Sequence, residues 1–217
     1  MTDITLWDIV RNLLLAARWT ILLSAIAFAG GGIVALLLLV ARIGKVRWLR
    51  NFVRFYVEVF QSTPLLMQLF LVYFGLPMIS IDVSAWLAAA LCLTLYSSAF
   101  LTEIWRGSVE AVPLGQWDGS SSLGLHRVAQ LRLVILPQAA RVATPPTVGF
   151  LVQLVKSTAL ASIVGYRELT KTAQILTNAT FEPFLVYGLV ALIYFAICYP
   201  LTWSSRVLER KMARGRG

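Results

Sequence analysis

Trp19-Thr20-Ile21-Leu22-Leu23-Ser24-Ala25-Ile26-Ala27-Phe28-Ala29-Gly30-Gly31-Gly32-Ile33-Val34-Ala35-Leu36-Leu37-Leu38-Leu39-Val40-Ala41 carries no charge between Arg18 and Arg42. A helix rises about 1.5 Å per residue, so about 20 apolar residues cross the roughly 30 Å hydrocarbon core of a bilayer. This stretch is long enough. The apolar bias extends to the whole chain, which is 59% hydrophobic and 13% charged over 217 residues. The apolar residues gather in runs rather than alternating with polar ones as around a water-soluble core.

Similar charge-free intervals separate Glu58 from Asp82, Asp82 from Glu103, and Glu182 from Arg206, and Lys156 alone interrupts a further apolar stretch. The expected fold is therefore an all-α integral membrane protein of five transmembrane helices, at about 19–41, 59–81, 83–104, 142–166 and 183–205. Residues 1–18 precede the membrane domain of 19–206, and 207–217 form a basic tail. Five spans place the termini on opposite sides.

The formal net charge of +9 is unevenly distributed. Arg42, Lys45, Arg47, Arg50 and Arg54 follow the first expected span. Arg106, Arg127, Arg132 and Arg141 follow the third, and Arg206, Arg210, Lys211, Arg214 and Arg216 follow the fifth. All three groups fall on one side, whereas 78–84 has no basic residue. The positive-inside rule then puts the C-terminus in the cytoplasm and the N-terminus outside. This pattern makes the basic excess a topology signal and argues against a nucleic acid partner.

Cys92 and Cys198 lie within expected spans without disulfide or metal-ligand spacing. Asp3 and Asp8 oppose a cleavable signal peptide, whose first residues are positive. In the first 18 residues Leu6, Val10, Leu13 and Ala17 share a helical face opposite Asp8, Arg11, Asn12 and Arg18. Either an interfacial amphipathic helix or the outer turns of a longer first helix fits. Gly30, Gly31 and Gly32 fit close helix packing or local flexibility. Pro64 and Pro77 bracket the second span, and Pro145, Pro146 and Pro200 fall in the fourth and fifth. The polar stretch 165–183 lies outside the membrane, where it fits a short helix.

The long loop, about 106–141, contains Gly115-Gln116-Trp117-Asp118-Gly119-Ser120-Ser121-Ser122-Leu123-Gly124-Leu125-His126 and then Val134-Ile135-Leu136-Pro137. A helix from about Leu114, a turn at Gly124 and a second helix from about His126 would form a hairpin at the membrane surface, because glycine tolerates positive φ. The spacing resembles the loop signature of binding-protein-dependent ATP-binding cassette importers. In that signature an acidic-small-small triplet is followed after three residues by Gly, and after nine more by aliphatic-x-Leu-Pro. Asp118-Gly119-Ser120, Gly124 and Val134 to Pro137 keep both spacings, although the triplet departs from the usual Glu-Ala-Ala.

Ser62-Thr63-Pro64-Leu65-Leu66-Met67-Gln68, Leu95 to Gly107, and Lys156-Ser157-Thr158-Ala159-Leu160 are similar to elements of the polar amino acid branch of those permeases, the histidine and glutamine type. Gln61-Ser62 replaces its usual Arg-Gly. The resemblance covers roughly 11–207 and implies a type I importer permease fold in a bacterial inner membrane. It implies a cytoplasmic ATPase dimer carrying ATP and Mg, an external substrate-binding protein, and docking through Gln116, Asp118, Gly119, Ser120, Gly124, Leu125, His126, Leu136 and Pro137.

The chain has no Gly-x4-Gly-Lys-Ser/Thr phosphate loop, so it is not expected to be the ATPase or to bind a cofactor. His126, the single histidine, has no cysteine or carboxylate cluster beside it for catalysis or a metal site. Polar groups in the membrane are costly and mark candidate pathways. Gln153, Lys156 and Ser157, spaced by three and four, share a helix face with Gly149 one turn earlier, and Thr158 follows. Lys156 is suited either to pair with a substrate carboxylate or to snorkel outward and pair with Glu168. That branch often carries Asp where Ser157 stands; without that acid, either selectivity for a cationic side chain is not expected or the acid comes from a partner subunit. Glu103 and Arg106, three apart, fit an ion pair or a substrate contact.

Five spans are few for a closed polar path, so a second membrane subunit, identical or homologous, is expected. The alternative is an ion-gradient-driven transporter or channel, which needs intramembrane carboxylates, and only Glu103, at a span edge, qualifies.

Overall fold

The computed structural model describes residues 4–44 and 46–214, so Asp3, Lys45 and Arg216 lie outside it. Among the described residues every regular element is helical.

Helix α1, Leu6–Ile43, is a single rod of 38 residues, about 57 Å long. Thr5 caps it reciprocally with Asp8. The Asp8 amide donates to Thr5 Oγ1 at 3.3 Å, and the Thr5 amide donates to Asp8 Oδ2 at 3.1 Å. Residues 6–18 are therefore the first turns of α1 and not a separate interfacial helix. Their buried face is Ile9, Leu13 and Ala17, packed on Leu169, Ala173, Val186 and Val190, while Leu6 stays 57% exposed. Protein covers this face because the helix Leu169–Thr180 and the start of the helix Pro183–Arg214 fold back over it.

Helix α2, Arg47–Ser62, meets the segment Leu65–Met78 at a bend of 105°. Pro64 has no amide hydrogen and forces Thr63 into an extended conformation (φ −109°, ψ 142°), which ends α2. Gln68 repairs the break by donating Nε2 to the carbonyls of Phe60 at 3.0 Å and Thr63 at 3.1 Å and to Thr63 Oγ1 at 2.8 Å. The segment after the bend comprises α3, Leu65–Phe70, a π-helical turn Leu71–Gly75, and α4, Leu76–Met78. Pro64 thus falls inside the expected second span and breaks it.

Helix α5, Ala85–Glu110, packs along α1 at the centre of the molecule. Gly31 permits the approach: a Cβ there would lie 1.8 Å from Ser97 Oγ and 3.0 Å from the Ser98 amide nitrogen. Ser97 Oγ donates to the Ala27 carbonyl at 2.7 Å across the seam. Helix α6, Leu114–Ser122, turns into α7, Arg127–Ala129, and a π-helical stretch Gln130–Ile135 leads into α8, Leu136–Ser157. After a 3₁₀ turn, Thr158–Ser162, come α9, Leu169–Thr180, and α10, Pro183–Arg214. Among the described residues, α1, α5 and α10 are each long and apolar enough to cross a bilayer. The bent pair Arg47–Ser62 and Leu65–Met78 qualifies only when taken together. Helix α8 has the length but is more polar than those three, with Arg141, Gln153 and Lys156 along it.

Candidate functional site

Pro113 ends the chain's run out of α5, and α6 and α7 form a hairpin that turns at Gly124. Gly124 has φ +75°, the left-handed conformation that glycine adopts without steric cost. Its amide donates to the Ser121 carbonyl at 2.9 Å, and the Leu125 amide donates to the Ser120 carbonyl at 3.3 Å. Those two bonds close a Schellman motif and satisfy carbonyls that a helix end otherwise leaves open. His126, extended at φ −70° and ψ 156°, then starts α7.

Both arms are anchored. Ile135 is fully buried against Val109, Val112 and Ala139, with Trp117 packed on the same cluster. Gln130, 7% exposed, donates Nε2 to Ser121 Oγ at 2.6 Å, and Gln138 Nε2 donates to Gln116 Oε1 at 3.1 Å. Ser120 faces inward, with Oγ donating to the Trp117 carbonyl at 2.9 Å. Of the positions the resemblance implied for docking, it is the one whose side chain is buried in this chain. The other positions so implied, Gln116, Asp118, Gly119, Gly124, His126, Leu136 and Pro137, are exposed, and Leu125 is half-buried. Leu114 and Leu123, 78% and 81% exposed, add an apolar surface that the sequence motif does not single out. A Cβ at Gly115 or Gly119 would meet nothing within 4 Å, so this face of α6 is open.

The polar residues of α8 do not share one cleft. Gln153 Nε2 donates to Tyr96 Oη at 3.1 Å, toward α5. Ser157 donates to the Gln153 carbonyl at 3.0 Å and faces Leu69, Cys92 and Leu93. Thr158 is fully buried, with Oγ1 donating to the Val155 carbonyl at 2.7 Å. Lys156 points the other way, into a cleft of about 380 Å³ against α10 that Tyr199 and Trp203 also line. The physical reason is the 100° step per residue, which carries Lys156 and Ser157 to different neighbours. Glu103 pairs with Arg106, which also pairs with Glu110, at the far end of α5. No described contact joins Glu103 to Gln153 or Lys156.

Glu168 has no exposed surface and does not pair with Lys156. It accepts from the Lys171 amide at 2.9 Å, from Thr20 Oγ1 at 3.2 Å and from Tyr194 Oη at 3.1 Å, tying α1, α9 and α10 together. Burial pushes its carboxyl above the usual range, and the hydrogen bonds partly oppose that. Glu168 also caps α9, a role that sequence does not mark, because N-caps are ordinarily Ser, Thr, Asp or Asn.

Residues 29–214 match the family described as binding-protein-dependent transport system inner membrane component. The chain is 35% identical over 217 residues to a probable amino-acid ABC transporter permease protein, YckA, of Bacillus subtilis, covering 95% of this chain and 96% of that one. It is 36% identical to the L-cystine transport system permease protein TcyB of the same organism, covering 96% and 92%. Its fold superposes on a crystal structure of an amino acid ABC transporter with histidines at a TM-score of 0.89, with 29% identity and coverage of 93% and 94%.

Proposed function

The chain belongs to the binding-protein-dependent transport system inner membrane components, and from that membership we propose that it is the permease subunit of an ATP-binding cassette importer of a polar amino acid. Relatives named for amino acids and for L-cystine support the substrate class. Family membership sets the ion-gradient alternative aside.

The observation that carries the mechanism is the hairpin. A rigid turn at Gly124, pinned by Gln130, holds out Leu114 and Leu123 beside the open glycine face of α6. An apolar, patterned surface on an otherwise polar loop suits a protein partner. In this proposal the partner is a cytoplasmic ATPase dimer that binds ATP and Mg. Closure of that dimer moves the hairpin as a unit, and the buried cluster around Ile135 passes the movement to α5 and α8. A second permease subunit completes the path, and an external binding protein delivers substrate to the side of the N-terminus. The three basic segments face the cytoplasm in this orientation, and five crossings follow if α8 and the bent pair each count as one.

The test is a substitution series at Gly124 in the reconstituted transporter. Since a Cβ there meets nothing, only backbone conformation is at issue. Gly124→Val costs about 1–2 kcal/mol in the left-handed region, whereas Gly124→Asn tolerates it better. Val is expected to lower uptake per ATP hydrolysed more than Asn does, with insertion unchanged. Equal uptake by all three proteins would overturn the assignment of the hairpin as the coupling element.

A further inference from the structure

Six arginines from three separate parts of the chain converge on one cleft of about 680 Å³: Arg42, Arg47, Arg50, Arg54, Arg106 and Arg127. The cleft lies between the end of α1, the start of α2, the end of α5 and the hairpin, and Trp117 forms part of its wall. Arg54 is paired with Glu58, and Arg106 with Glu103 and Glu110. Among the described residues, Arg42, Arg47, Arg50 and Arg127 have no carboxylate partner, and Arg42 donates instead to the Arg50 carbonyl at 3.2 Å. Topology requires basic residues on one side of the membrane but does not require them to face each other across a cavity. Like charges gathered in this way repel, and the one carboxylate in the described lining, Glu110, is already paired with Arg106, which leaves the others to an anion from outside.

The type of cation narrows the anion. The described basic lining is entirely arginine, whose planar fork binds phosphate oxygens two at a time, and Asn51 adds an amide. Helix α2 then sets the depth. Arg47, Arg50, Asn51 and Arg54 occupy one face by their three-and-four spacing. The adjacent face carries Trp48, Phe52 and Phe55, exposed by 72%, 58% and 65%. An aromatic stripe beside an arginine stripe is the pattern of a helix lying at the headgroup level of a bilayer, with rings against acyl chains and cations at the phosphates.

We propose that this cleft binds the phosphate of an anionic phospholipid, whose acyl chains lie along the Trp48, Phe52 and Phe55 face of α2. The bound phosphate neutralises the facing arginines and fastens α2 to the hairpin through Arg127. Of the cleft's lining, only Leu114 also belongs to the apolar hairpin surface proposed to meet the ATPase, so the lipid can be tested on the chain alone.

The experiment uses the full chain in a neutral detergent. Thermal unfolding is followed while short-chain phosphatidylglycerol, short-chain phosphatidylcholine or inorganic phosphate is titrated in. Phosphatidylglycerol is expected to raise the midpoint saturably, and phosphatidylcholine and inorganic phosphate are not. The variant R47K/R50K/R127K keeps the charge but loses the forks, and its half-saturating lipid concentration should rise about tenfold. The control R132K/R141K/R206K, altered outside the cleft, should match the parent chain. Retention of phosphatidylglycerol in native mass spectrometry provides a second measurement if the cleft variant is poorly folded. A shift of equal size with phosphatidylcholine, an equal response of both triple variants, or saturation by inorganic phosphate alone would each overturn the lipid assignment.

Discussion

Gln130 Nε2 donates to Ser121 Oγ at 2.6 Å, bridging the two arms of the hairpin. Because Gln130 is buried, its amide cannot exchange this bond for water at no cost. Gln130→Ala is expected to lose about 0.5–1.5 kcal/mol of local stability. Amide hydrogen exchange should speed up in 114–130 and stay unchanged in α10. Unaltered exchange in the hairpin would show that its rigidity comes from the Gly124 turn and the Ile135 cluster alone.

The three adjacent glycines of α1 make different demands. Gly31 sits against Ser97 and the α5 backbone, while a Cβ on Gly32 would meet only Trp105, at 3.8 Å. Gly31→Ala must push α1 and α5 apart and displace the Ser97 bond to Ala27, at a cost of about 1–3 kcal/mol. Gly32→Ala should be neutral or slightly stabilising, since it lowers the entropy of the unfolded helix. Thermal melts in one detergent check the contrast, and equal midpoints for the two variants would refute it.

Glu168 offers a pH test outside the membrane-spanning helices. Its carboxyl is pushed up from the ordinary 4.5, so the folded protein holds the proton more tightly than the unfolded chain does. Stability from this group is full below the ordinary value and falls as pH rises through the folded one. Glu168→Gln should flatten that slope. Glu168→Ala should also remove the α9 cap and leave Tyr194 and Thr20 without an acceptor, costing about 2–4 kcal/mol. Denaturation midpoints across the acid range give both answers.

The hairpin was legible because its turn needs a particular backbone: Gly124 at positive φ, spaced from Pro137, leaves a mark in the residues themselves. All-α membrane character was legible in the same way, from uninterrupted apolar length. Two features were not. The 105° bend at Pro64 arises inside an apolar run, where proline alone does not distinguish a gentle kink from a full break. The Gln68 bonds that stabilise the break become visible only in three dimensions. The facing of residues on α8 is the second. Three-and-four spacing puts Gln153, Lys156 and Ser157 within one broad arc, but α3, α5 and α10 divide that arc among themselves.

That division makes Gln153 and Lys156 separable by mutation. Gln153 bonds to Tyr96, whose ring packs at a tilt against Phe100 and Phe150 in the core, so its side chain is held by α5. Lys156 is exposed in an aromatic-lined groove on α10 and has no carboxylate partner among the described residues. If Lys156 binds the carboxylate of a passing amino acid, Lys156→Gln should raise the substrate concentration for half-maximal uptake by about tenfold, the worth of one charge-assisted bond, with little change in melting. If it only snorkels, uptake per folded protein stays the same. Gln153→Leu should do the reverse, lowering the melting midpoint through the stranded Tyr96 hydroxyl before it alters apparent affinity. Uptake and melting measured on the same preparations separate the two roles, and a Lys156→Gln variant that changes only expression level would remove Lys156 from the pathway.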